Sequence, residues 1–333
     1  MDDDELVTVL VPARNEAGFL SACLASIRAQ DYPNLQVVVV DSASTDATAD
    51  IVRRHRREDP RVELVQVERP GIPTALNSGL ARARGRWLVR VDAHSTVPET
   101  YVRRAVTHLR EGRWGGVGGR KDGVGRTPAG RAVAVAMSSR LAVGGSTYHF
   151  GTRAQEVDHL PFGAYPVASL RELDGWDERL AANEDFELDY RLRGTGARLL
   201  FDPGLVIAWH CRQSIGQLFG QYRRYGRGKV DVALLHPRSL GPRHVAPPLF
   251  VSYLTVALAV APRRPGLARA MIAPYAVALV AESVRLAPRL SRRAEQVRVP
   301  MAIAAMHVGW GLGFWSGLAH HAASRVRGPS RQA

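Results

Sequence analysis

The chain has 333 residues, a formal net charge of +14 and a pI near 10.7, a balance that taken alone points to nucleic acid. The charge is uneven: residues 240–333 carry 12 Arg against 2 Glu among apolar runs, whereas residues 1–239 carry 33 basic and 29 acidic side chains. That distribution disfavours a DNA groove, suits anionic lipid headgroups, and implies no nucleic-acid partner.

Only Lys121 and Lys229 are lysines, an Arg bias that reflects composition rather than function, and Cys23 and Cys211 are the only cysteines. With no Cys-x-x-Cys pair, a disulfide or zinc framework is not expected. The acidic N-terminus runs directly into a strand without a signal-peptide pattern, so the N-terminal part is expected to stay in the cytosol.

Val7–Val11 reads as a buried strand closed by Pro12, and Leu20, Cys23, Leu24 and Ile27 recur at helical spacing over 17–29. Gln36–Val40 is a second strand, with Ser44 or Thr45 expected to cap a helix reaching Arg57. Val62–Val67, Pro73–Arg84 and Trp87–Val91 continue the alternation as strand, helix and strand, and Val102, Ala105, Val106 and Leu109 mark a further helix. Apolar strands alternating with helices predict a mainly parallel α/β sheet covered on both faces. Ligands bind such sheets at the carboxyl ends of strands, where Asp41 and Asp92 both fall.

The first strand is followed by Pro12-Ala13-Arg14-Asn15-Glu16 rather than Gly-x-Gly-x-x-Gly, which disfavours a dinucleotide-binding oxidoreductase. Gly115, Gly116, Gly118 and Gly119 fall in a predicted strand and are expected to mark close backbone approach. Residues 121–160 have weak periodicity. Asp174–Glu178 and Asn183–Leu188 are acid-rich, the second resembling a helix start. Ala197–Phe201 and Val206–Trp209 read as two strands, and Ile215, Leu218, Phe219 and Tyr222 as one face of a helix. Val245–Ala261, Ala270–Ala281 and Val299–Ser324 are uncharged, giving two or three membrane-embedded helices.

Asp92-Ala93-His94, closing a buried strand, offers an oxygen and a nitrogen ligand two residues apart, suited to a divalent cation that also carries phosphate oxygens. These clusters line up with a family. The chain resembles the family 2 glycosyltransferases of GT-A fold, especially those of succinoglycan-type exopolysaccharide synthesis. The resemblance rests on Val9–Glu16, Val40–Asp46, Ala75–Gly79, Asp92–His94, Gly175–Glu178 and Glu184-Asp185, in that order.

The resemblance implies that Pro12, Ala13, Arg14, Asn15, Glu16, Asp41, Asn77 and Asp92 bind the donor nucleotide, and that Asp185 is the catalytic base. Asp92 stands as the first acid of an Asp-x-Asp motif whose second acid is here His94, with His210 as a further candidate ligand for Mn²⁺ or Mg²⁺. Gln221, Arg224 and Tyr225 resemble a Gln-x-x-Arg-Trp signature with Tyr for Trp. With Trp176, Asp177 and Glu184 they are expected around the acceptor and diphosphate.

The expected protein is therefore an inverting, metal-dependent enzyme moving a hexose from a UDP-sugar to a lipid-linked or polysaccharide acceptor, on the cytoplasmic side of a bacterial cell membrane. The expected organisation is a GT-A domain over 1–239, a hydrophobic helical membrane region over 240–323 and a flexible tail over 324–333. The alternatives are a nucleotidyltransferase of similar fold and a non-enzymatic basic protein binding membrane or nucleic acid. The first would carry a Gly-rich phosphate loop after the first strand. The second has no need of acids at successive strand and helix ends.

Overall fold

The computed structural model describes residues 4–326. Of the tail expected over 324–333, residues 324–326 continue the last helix and the rest lies outside the described residues. The chain forms two compact units: one holds the residues up to Asp122 with Thr147–His210, the other Gly123–Ser146 with the chain from Cys211 onward.

The first unit opens with β1 (Val7–Ala13), α1 (Leu20–Arg28), β2 (Leu35–Ser42), α2 (Thr48–Glu58), β3 (Val62–Val67), α3 (Ile72–Arg82), β4 (Trp87–Arg90), β5 (Ser95–Thr96) and α4 (Tyr101–Arg110). Every residue of β2 and β4 is buried, as expected for strands covered on both faces. The β1–β2 register runs from Val7 opposite Leu35 to Ala13 opposite Asp41, so both carboxyl ends meet at one edge. After β6 (Gly116–Val124) come α5 (Pro128–Met137), α6 (Arg140–Val143), β7 (Gln155–Val157), β8 (Ala164–Pro166), α7 (Val167–Glu172), α8 (Glu184–Gly194) and β9 (Leu199–His210). Much of this is the stretch whose periodicity was too weak to read.

The sheet order is β3-β2-β1-β4-β8-β6-β9-β5, with β7 pairing to β9. Strands β1 to β4 are mutually parallel, β8 runs antiparallel to β4, and β5 and β7 run antiparallel to β9. The glycines of β6 serve close approach: a Cβ on Gly119 would lie 1.7 Å from the Leu205 carbonyl oxygen.

Two local expectations are corrected. The helix after β2 starts at Thr48, because Asp46 takes the Thr48 amide (3.0 Å) while Ser44 and Thr45 bind the loop after β1. The two strands expected before His210 are one 12-residue strand, β9. Pro203 and Gly204 are accommodated within it because Asp202 accepts the Gly204 amide (2.9 Å) and pairs with Arg104 and His108 of α4. Burial works against the charge of Asp202, but Arg104, the Gly204 amide and His108 outweigh it and hold the carboxyl down at about 2.

A carboxyl held below its unfolded value near 3.9 contributes stability above that value and loses it as pH falls toward 2. Asp202→Asn is therefore expected to destabilise the fold by about 2 kcal/mol at pH 7, the deficit narrowing between about pH 4 and pH 2. Denaturant unfolding of both proteins across that range measures it, and a deficit independent of pH would assign the loss to packing.

The second unit contains α5 and α6 together with α9 (Ile215–Leu235), α10 (Pro242–Val260), α11 (Pro265–Leu286), α12 (Arg293–Gln296) and α13 (Val299–Val326). Its division from the first unit does not follow the boundary expected at residue 239, because α9 packs along α13. Glycines allow that approach: a Cβ on Gly226 would lie 2.0 Å from the Trp310 carbonyl oxygen, and one on Gly313 2.0 Å from that of Arg223. The spacing of Gly309, Gly313 and Gly317 is that of small-residue helix interfaces. Two helices, Pro242–Val260 and Pro265–Arg289, are long and apolar enough to cross a membrane. They leave Leu249, Leu258, Val277, Val280 and Val284 exposed, whereas α13 buries Val299, Ala302, Ile303 and Met306.

Candidate active site

The carboxyl ends of β1, β2 and β4 carry three linked clusters. In the first, the loop after β1 is stitched to the loop after β2. Asn15 donates its amide to Ser44 Oγ (2.9 Å), Thr45 donates its amide to Asn15 Oδ1 (2.8 Å), and Glu16 donates its amide to Thr48 Oγ1 (2.8 Å). Asn15 and Ala43 both take positive φ, 55° and 53°. For alanine that is an uncommon backbone conformation, held by the surrounding hydrogen bonds. Asp41 is buried between them and accepts from the Ser44 amide (3.2 Å) and Gln66 Nε2 (3.3 Å). The expected nucleotide residues Pro12, Ala13, Asn15, Glu16 and Asp41 are thus brought together, with Arg14 exposed at the same loop.

Asn77 has another role. It donates Nδ2 to the Trp176 carbonyl (2.8 Å) and to Glu178 (3.1 Å), and accepts the Trp176 amide at Oδ1 (2.8 Å). Its amide group is a strut that fixes the Gly175–Glu178 loop on α3. Gly175, at φ 67°, is required there, since a Cβ would lie 2.3 Å from Asn77 Oδ1.

The second cluster centres on Arg90, which the sequence reading passed over inside a buried strand. Its guanidinium, 3% exposed, donates to Asp92 Oδ1 (2.8 Å) and Asp185 Oδ1 (2.5 Å) and lies 3.4 Å from Glu184. Strand alternation explains the pairing: Arg90 and Asp92 share a face of β4 and its extension. Burial opposes the charge of Arg90, but Asp185, Asp92 and Glu184 together hold its pKa well above the usual value. Burial, then the charge of Asp185, raises Glu184 above the usual carboxylate range, with Arg90 opposing. Asp185 also accepts from Trp176 Nε1 (3.2 Å). Trp176 is itself buried, and its indole fixes Asp185 Oδ1. Asp177 is tied to Arg179, whose hydrogen bonds hold its carboxyl below the usual range.

The third cluster concerns the expected metal ligands. His94 Nε2 accepts from Trp209 Nε1 (2.8 Å), and its Nδ1 faces Glu16 Oε1 (3.0 Å). Indole nitrogen only donates, so Nε2 is the unprotonated nitrogen and Nδ1 carries the hydrogen toward Glu16. Neither nitrogen retains a lone pair for a cation. The ring of His210 packs on Phe19 at 4.7 Å, and its amide donates to the His94 carbonyl (3.0 Å). Among the described residues no three His, Cys, Asp or Glu side chains form a metal-holding group. The expected set of Asp92, His94 and His210 therefore does not fit a metal in this structure. His94 instead links the loop after β1 to β9.

Gln221, Arg224 and Tyr225 lie on α9 in the second unit. Gln221 is buried and donates to Tyr225 Oη (2.9 Å), and the Arg224 guanidinium lies 6.0 Å from the Tyr225 ring. Sequence reasoning also passed over Phe162 and Trp209. A charged residue within an apolar strand was the available signal for Arg90, since a buried charge requires partners; Phe162 has no comparable sequence signal.

Residues 8–169 match the model of glycosyl transferase family 2. The chain is 31% identical to the succinoglycan biosynthesis protein ExoA of Rhizobium meliloti, over 95% of this chain and 97% of that protein. It is 24% identical, over 67% of this chain and 72% of the relative, to a dolichyl N-acetyl-α-D-glucosaminyl phosphate diacetamido-dideoxy-glucuronosyltransferase of Methanococcus voltae. Among solved structures it is similar to the mannosyltransferase PcManGT of Pyrobaculum calidifontis in complex with GDP-Man and Mn²⁺. That similarity has a TM-score of 0.59 and 25% identity, covering 93% of this chain and 87% of that one. These matches set aside the nucleotidyltransferase and non-enzymatic alternatives. The chain belongs to glycosyl transferase family 2 and is a glycosyltransferase of GT-A fold.

Proposed function

We propose that the enzyme is an inverting hexosyltransferase that uses a nucleotide-sugar, a UDP-hexose first, and a lipid-linked or polysaccharide acceptor. The proposed setting is exopolysaccharide or envelope-glycan synthesis at the cytoplasmic face of a bacterial membrane. The observation that carries this reading is Asp185, held by Arg90 and Trp176 on one oxygen beside Asp92. Both donors meet Oδ1, so Oδ2 is assigned to the acceptor hydroxyl. Oδ2 takes the hydroxyl proton as the acceptor oxygen bonds to the sugar C1 and the C1–phosphate oxygen bond breaks, with the diphosphate leaving from the opposite face. One base and one displacement invert the anomeric centre. Glu184 is buried on Arg90 and Asp177 is tied to Arg179, so neither neighbouring acid is assigned as a nucleophile.

The names of the relatives, a succinoglycan protein and a transferase named for a dolichyl-linked sugar phosphate, support this acceptor class. The two apolar helices and the basic C-terminal region support attachment to membrane lipids. Asp41 fits the imide N–H of uracil. A guanine also presents N–H donors, and the archaeal neighbour holds GDP-Man, so both bases enter the test. A divalent cation, Mn²⁺ or Mg²⁺, would neutralise diphosphate charge when bound. The archaeal complex supports its use, although His94 does not fit as its ligand.

The purified full chain in detergent, given UDP-hexoses or GDP-mannose with a membrane lipid extract, is expected to release UDP or GDP and form a product of inverted anomeric configuration. Release of pyrophosphate, or retention of configuration, would overturn the reading.

A further inference from the structure

One cation beside the Trp209 and Phe162 rings has no assigned role. Lys121 on β6, one of two lysines among 45 basic side chains, places its ammonium 3.7 Å from the Trp209 ring centroid and 4.6 Å from that of Phe162. Both rings lead to the site. The Trp209 indole donates to His94, and the Phe162 ring also carries the Arg90 guanidinium, 5.3 Å from its centroid. Phe162 is buried at φ 56°, an outlier for a bulky side chain, and its neighbour Gly163 accepts the Arg90 amide (3.2 Å). Such strain collects where a side chain must be aimed. Desolvation, and then the charge of Lys121, push the half-buried His149 imidazole down to about 3, so this neighbour adds no positive charge at neutral pH.

The charges explain what the ammonium is for. Asp92, Glu184 and Asp185 share the single guanidinium of Arg90, which leaves an excess of negative charge where the donor's phosphates belong. Arg90 is buried on these acids and His94 accepts at Nε2 as the neutral tautomer, so neither supplies a charge to a diphosphate. We propose that Lys121, held over Trp209 and Phe162, is the cation that receives the diphosphate of the nucleotide-sugar, an inference that rests on the donor reading above. A compact ammonium with rotatable donors acts on phosphate as a point charge, and the ring faces hold it in position while it remains charged.

The test titrates UDP, uridine, GDP and guanosine calorimetrically into the full chain in detergent, with Mn²⁺ and again with chelator. Lys121→Met keeps the apolar stem over the rings and removes the charge. It is expected to weaken the preferred diphosphate about tenfold, the size of a lost charge-assisted contact, and to leave the nucleoside within about twofold. Lys121→Arg retains most of the diphosphate affinity. If Lys121→Met lowers the melting temperature, Lys121→Gln serves in its place and is held to the same difference between diphosphate and nucleoside. Diphosphate affinity equal to the parent's, or a loss shared equally by the nucleoside, overturns the assignment. A parent that binds neither diphosphate overturns the donor reading and the lysine's role together, whereas a parent that binds with an unaffected variant overturns the lysine alone.

Discussion

Asp185→Asn is expected to cut sugar transfer by about a thousandfold while UDP or GDP affinity stays within about twofold of the parent. The amide keeps the shape of the side chain and still accepts the Arg90 and Trp176 hydrogen bonds at Oδ1, so the surrounding loop retains its supports. What is lost is the atom proposed to take the acceptor's proton. Asp41→Ala is the converse control. Asp41 is buried between the Ser44 amide and Gln66, and removing it should weaken nucleotide binding by about 1–3 kcal/mol. Parallel calorimetry and turnover assays separate the two effects. Transfer by Asp185→Asn at near the parent rate would move the base elsewhere. Asp177 would be a poor successor, because Arg179 already binds both of its oxygens.

The elements around the site were legible because their pattern is local. The strand runs at Val7, Gln36, Val62 and Trp87 and the helix between Leu20 and Ile27 follow from side-chain period alone, within two or three residues at their ends. What the pattern could not give was side-chain company across the fold. Asn77 stands in a motif on α3, yet its partners lie about a hundred positions away at Trp176 and Glu178. His94 has the spacing of a ligand, but Trp209 and Glu16 engage both of its nitrogens, and those partners come from β9 and the first loop. The runs Ala197–Phe201 and Val206–Trp209 suggested two strands that are one, bridged where Asp202 accepts the Gly204 amide. The boundary expected at residue 239 followed a change in composition, whereas the packing of α9 on α13 depends on backbone contact at glycines, which composition does not register.

Arg90→Met is expected to have the largest effect on stability, a loss of about 3–5 kcal/mol at pH 8, because it leaves Asp92, Glu184 and Asp185 together without their shared cation. Methionine fills much of the volume, and the Phe162 ring can pack against it, so a cavity is not the main cost. The sign of the pH dependence identifies the cause. Burial and Asp185 already raise Glu184, and Arg90 opposes that rise, so removing the guanidinium raises it further. An acid whose folded value lies above its unfolded value, near 4.3, loses stability as pH rises through that window and regains it as pH falls. The deficit of Arg90→Met should therefore narrow between pH 8 and about pH 5, whereas a packing defect would not respond. Adding Glu184→Gln should recover part of the lost stability at pH 8 by removing one of the crowded charges. It should not recover transfer, because Asp185 would still lack the charged one of the two donors that fix Oδ1. Thermal melts of the parent, the single variant and the double variant across that range measure all three expectations. A single variant as stable as the parent at pH 8 would show that the three carboxylates do not depend on Arg90.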